Sequence, residues 1–206
     1  MPYIVGILII MKGYSMNFIL MAFLFFIPTF GVLADSDPAV QAQQAQEFVS
    51  RLGDDAITTL DNTKGDQSAR REEFKRILND NFDMSAIGQF ALGRYWATAT
   101  DAEKSEYLTL FKDMVIDVYT QRFSDYYDQK FIVTGSNPSG KKDVIVNSLI
   151  KGSGQPIKVD WRVRDNKVID VIVEGVSMSV TQRNDFASII QNNGGEVSAL
   201  INHLKK

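Results

Sequence analysis

Ile157-Lys158-Val159-Asp160-Trp161-Arg162-Val163-Arg164 alternates apolar and charged residues without interruption. That period of two belongs to a strand with one covered face and one wet face. Ile157, Val159, Trp161 and Val163 share the covered side. The turn residues Asn137-Pro-Ser-Gly140, Gly152-Ser-Gly154 and Asp165-Asn166 divide the surrounding chain, which predicts strands near 130–136, 142–151, 156–164 and 168–174. The last turn sets the register. A two-residue loop would place Asp170 opposite Trp161 on the apolar face, whereas a three-residue loop places it opposite Arg162 and turns Ile169, Val171 and Val173 to the core. The second register buries no charge and is preferred.

Upstream of Tyr127 the period is helical. Asp37-Pro38 combines an N-cap with proline at the first helical position. Val40, Phe48, Leu52, Ile57 and Leu60 mark one face as far as Asn62-Thr-Lys-Gly65. A second helix is expected over 67–79 with Phe74, Ile77 and Leu78 on its stripe, and a short apolar third over 84–96. Thr100 followed by Glu103 is a capping box opening a long helix to about Tyr126, with Leu108, Phe111, Val115, Tyr119 and Phe123 in one stripe. Two short helices, 180–192 and 196–204, close the chain around Gly194-Gly195. Helices first, then a meander, then closing helices predict an α+β, NTF2-like plan: helices on one face of a mainly antiparallel four-stranded sheet.

The N-terminal segment has Lys12, then the apolar run Phe18 to Ile27, then Val32 and Ala34 ahead of the polar Asp35-Ser-Asp37. This order predicts a signal peptide over 1–34, a single domain over 35–206, and export. Read instead as an uncleaved span, Phe18 to Leu33 would tether the domain to a membrane.

Of the 22 basic residues only Lys12 precedes Asp35, so the domain is slightly more acidic than the net −3 of the whole chain. With no basic block, nucleic acid is not an expected partner. The chain has no cysteine, which excludes thiol nucleophiles and Cys-metal sites, and its single histidine is His203 near the C-terminus. A Ser-His-Asp triad or a multi-histidine metal site therefore cannot be assembled. Asp83, Asp160, Asp170 and Glu174 fall into no acid and base pairing and read as a cap, two wet-face strand residues and a strand-end charge. The Gly-rich turns lack the strand-to-helix setting of a phosphate loop. Phe82, Phe90, Tyr95, Trp96, Phe111, Tyr119, Phe123, Tyr126 and Trp161 either fill a core or line a cavity between helices and sheet. Periodicity does not separate those two outcomes.

Phe82-Asp83, Phe90-Ala-Leu-Gly-Arg-Tyr-Trp96, Thr100-Asp-Ala-Glu103, Ile157 to Val163 and Asp170-Val-Ile-Val-Glu-Gly-Val-Ser-Met178 occur in this order. In that arrangement the chain resembles the MlaC family of periplasmic phospholipid-binding proteins, also called toluene-tolerance auxiliary proteins. The resemblance implies a non-enzymatic, monomeric carrier in the periplasm, without a cofactor, holding phospholipid as cargo. Its implied partners are an inner-membrane ABC transporter complex and an outer-membrane lipoprotein/porin complex. A hopanoid or other lipid carrier of the same family, or an NTF2-like isomerase or hydrolase, is the alternative. On the carrier reading the apolar faces nominate Tyr95, Trp96, Phe111, Val115, Tyr119, Val146, Val159, Trp161, Val163, Val171 and Val173 as the cavity wall. Arg94 and Arg122 are candidates for a phosphate at the rim or for surface ion pairs.

Overall fold

Helix α1 (Pro38–Asn62) begins where the Asp37 carboxylate accepts the Ala39 N–H at 3.0 Å. The same device starts α2 (Gln67–Asn81), where Asp66 accepts from Ala69, and α3 (Met84–Leu92), where Asp83 accepts from Ala86. The computed structural model describes residues 37–123 and 129–206. The expected signal segment and Tyr126 lie outside them. No helix among the described residues is long and apolar enough to cross a membrane.

The third helix ends earlier than its apolar run. Gly93 adopts φ 59°, ψ −131°, a conformation reserved for glycine, and the chain tightens into a 3-10 turn over Gly93–Ala97. Helix α4 (Asp101–Phe123) opens with the reciprocal capping box: the Thr100 N–H donates to the Glu103 carboxylate at 2.9 Å, and the Glu103 N–H donates to the Thr100 hydroxyl at 3.2 Å. Helices α5 (Met178–Asn192) and α6 (Val197–Leu204) close the fold.

Between α4 and α5 lie β1 (Lys130–Ser139), β2 (Asp143–Lys151), β3 (Ile157–Arg164), β4 (Lys167–Val173) and β5 (Val176–Ser177), antiparallel and in sequence order across one sheet. The fifth strand was not anticipated. It arises because Glu174 and Gly175 both take positive φ, a tight turn that folds Val176 and Ser177 back onto Val173 and Ile172.

Asp170 does sit opposite Arg162, yet by a different route from the expected three-residue loop. The loop has two residues, Asp165 and Asn166, with φ 49° and 55°, and Arg164 pairs with Lys167. The extra residue is a bulge between Val168 and Asp170. Val168 therefore enters the core in place of Ile169, fully buried. Val171 remains opposite Trp161 and Val173 opposite Val159.

The helices cover one sheet face unevenly. Helix α1 packs on β1 and β2, so Phe48, Val49 and Leu52 join Val144, Val146, Val163 and Val168 in one filled core. Val40, expected on that face, is exposed, since it lies in the first turn before the contact begins. A second core forms among α3 to α6, where Tyr107, Phe111 and Phe186 meet with ring centroids 5.8–6.1 Å apart. Gly88 permits it: a Cβ there would lie 2.7 Å from Leu108 Cδ2, and the buried Tyr107 hydroxyl donates to the Gly88 carbonyl at 2.9 Å. Burial pushes that hydroxyl far above the usual phenol range.

Candidate functional site

The core under α1, the helical core and a small cluster of Phe74, Leu78 and Ile116 leave a gap where they face each other. A cavity of about 220 Å³ lies there, bounded by α2 to α5 and by β3 and β4. Phe74 and Leu78 enter it from α2, Met84 and Ile87 from α3, and Phe111, Val115 and Tyr119 from α4. Trp161, Val171 and Val173 form its sheet wall. The surface is overwhelmingly apolar; Asp170, Ser179 and Gln182 are its polar contributors, from β4 and the first turns of α5.

A second cavity of about 120 Å³ opens beneath α1, between Leu52, Ala56, Ile57 and Leu60 and the sheet residues Phe131 and Ile150. Phe74, Phe82 and Trp161 line both spaces, so the two meet at an aromatic partition. Trp161 is pinned within it. Its Nε1–H donates to Ser148 Oγ at 3.0 Å, the Ser148 hydroxyl donates to the Val159 carbonyl at 2.7 Å, and Phe131 meets the indole edge-on at 5.9 Å.

Of the residues nominated from sequence, Phe111, Val115, Tyr119, Trp161, Val171 and Val173 line the larger cavity. The others sit elsewhere. Val146 and Val163 are packed under α1, and Val159 is buried in the sheet without lining either space. Tyr95 belongs to the helical core and borders a separate polar cleft with Arg94, Glu103 and Glu196. Trp96 packs on that same core with the Lys104 ammonium 5.6 Å above its ring. Arg94 donates to the Tyr95 hydroxyl at 2.8 Å and stacks over that ring, away from the cavity; Arg122 is exposed on α4. Phe74, Leu78, Phe82, Met84 and Ile87 were not nominated. For Phe74 and Leu78 the signal was present in the α2 stripe.

The acids are engaged structurally. Asp170 accepts the Ser177 hydroxyl at 2.6 Å and the Ser179 N–H at 3.1 Å, fastening the N-terminus of α5 to β4. Asp83 caps α3, Asp160 accepts from the Asn147 amide at 2.8 Å, and Glu174 accepts from the Lys158 N–H at 2.6 Å. No group of three or more metal-ligating side chains occurs among the described residues.

The sequence profile of the MlaC protein family matches residues 44–206 of the chain. A solved structure of a phospholipid-binding protein from Ralstonia solanacearum, in complex with a phospholipid, is similar with a TM-score of 0.67 at 28% identity. That match covers 78% of this chain and 94% of the Ralstonia chain.

Proposed function

The chain belongs to the MlaC family, and from that membership and the apolar cavity between its helices and sheet we propose that it is a non-enzymatic carrier of phospholipid. The cavity carries the reading. Each CH₂ moved out of an apolar phase costs about 0.8 kcal/mol, so an acyl chain leaves a bilayer only for another apolar enclosure. A site walled by Phe74, Phe111, Val115, Trp161 and Val171 supplies one. Jointly the two spaces reach the lower end of the volumes of ligand sites, about 300–1,000 Å³. A complete lipid therefore loads by widening them.

In this reading the headgroup remains at the mouth in water and the wall recognises chains. Asp170 is spent on clamping α5, which favours a carrier over an isomerase or hydrolase working with that acid. Export by the segment 1–34 places the carrier in the periplasm. There it moves as a monomer between an inner-membrane ABC transporter complex and an outer-membrane lipoprotein/porin complex.

Native mass spectrometry tests the proposal on protein purified gently from a host with ordinary membrane lipids. The expected spectrum contains phospholipid bound to the folded chain. Recovery of lipid-free protein that also takes up nothing from phospholipid vesicles overturns it.

A further inference from the structure

We infer that the smaller space under α1 is a second acyl-chain site, so that the two chains of one diacyl lipid part on either side of Trp161. This rests on the carrier reading and extends it to the shape of the cargo.

No polar atom faces the smaller space, so it offers a ligand no hydrogen bond, and its boundaries are aliphatic and aromatic carbon. Such an apolar lining suits an apolar guest. It is not an isolated packing defect, because it abuts the larger cavity through the rings of Phe74, Phe82 and Trp161. Two small residues of α1, Gly53 and Ala56, border it. Gly53 lets the Phe131 ring lie directly against the helix, where an added Cβ would fall 2.0 Å from the ring, and Ala56, three residues further on, presents only a methyl group to the space.

The indole of Trp161 is held to Ser148. Phe82 lies at the joint between α2 and α3 with extended backbone, φ −113° and ψ 141°, outside either helix. For the two spaces to join beside Trp161, the Phe82 ring must turn aside. A single-chain lipid then needs only the larger cavity, while a diacyl lipid needs both.

The test fills the smaller space alone. Ala56→Trp places bulk where Ala56 lines the smaller cavity and does not line the larger one. Uptake is measured by native mass spectrometry from phosphatidylglycerol vesicles and, separately, from lysophosphatidylglycerol. Wild type is expected to take both. In Ala56→Trp, diacyl uptake falls by more than about tenfold, the effect of depriving even two methylenes of apolar surroundings, while lysolipid uptake persists. Undiminished diacyl uptake by the folded variant overturns the second site; uptake of neither lipid by wild type overturns the carrier reading itself. A measurement on unmutated protein guards against misfolding of the variant. With methyl-labelled isoleucine, acyl protons of bound phosphatidylglycerol should give NOEs to Ile57 and Ile150 as well as to Ile87. NOEs confined to Ile87 overturn the inference.

Discussion

Ser148 accepts the indole N–H of Trp161 from two residues along the neighbouring strand, since Ser148 is paired across the sheet with Val159 and Trp161 with Val146. The serine is buried and donates its own hydrogen bond to the Val159 carbonyl. Removing it strands a donor. Ser148→Ala should lower unfolding free energy by about 1–3 kcal/mol, read by chemical denaturation. In a Trp96→Phe background, which leaves Trp161 as the sole tryptophan, its emission should also shift. An unchanged stability and spectrum would show that the indole is held by packing alone.

Val146 and Val171 flank Trp161 on neighbouring strands, and both turn inward. One lies in the filled core under α1, the other at the cavity. Val146→Trp should destabilise by about 1–3 kcal/mol through overpacking, measured as a lowered thermal midpoint. Val171→Trp should leave the midpoint largely intact and reduce bound lipid. Equal melting losses in the two variants would contradict the difference in packing.

The Glu103 carboxyl is held below its ordinary range by the Thr100 N–H first and the Thr100 hydroxyl second. A carboxyl with a depressed folded value stabilises above its unfolded value, about 4.3, and ceases to do so as pH falls through the folded one. Glu103→Gln should therefore melt slightly lower than wild type at neutral pH. That gap should narrow in acid. A gap independent of pH would assign it to something other than the carboxylate.

At Gly53 an added methyl collides with the Phe131 ring, whereas at Gly135, on the adjoining strand, a Cβ meets nothing within 4 Å. Gly53→Ala should destabilise by about 1–3 kcal/mol, and Gly135→Ala should stay within about 0.5 kcal/mol of wild type. Denaturant midpoints measured on the pair check the contrast.

These contrasts mark what a linear sequence conveys. The alternation of Ile157 to Arg164 revealed which side chains turn inward, and Asp37, Asp83 and Thr100 announced their helices through local hydrogen bonds. Such signals act over a few residues. The compensation between a two-residue turn at Asp165 and a bulge near Ile169 depends on how β4 twists against β3, and no local pattern specified it. The cavity was half legible for a related reason. Period two turns Val146 and Val171 to the same side, but whether a helix lies above each was decided by where α1 docks, some ninety residues away along the chain. Apolar character told which faces are dry. It did not tell which are crowded.

Each strand of the sheet pairs with its neighbour in the chain, so the meander can knit hairpin by hairpin as it is made. The Ser136 hydroxyl, by contrast, donates to the Ala42 carbonyl 94 residues earlier, tying β1 to a helix synthesised long before it. An early helix therefore waits for a strand made much later. Since Met178, Ser179 and Gln182 also border the larger cavity, a ribosome must have passed Gln182 before there is anywhere for cargo to go.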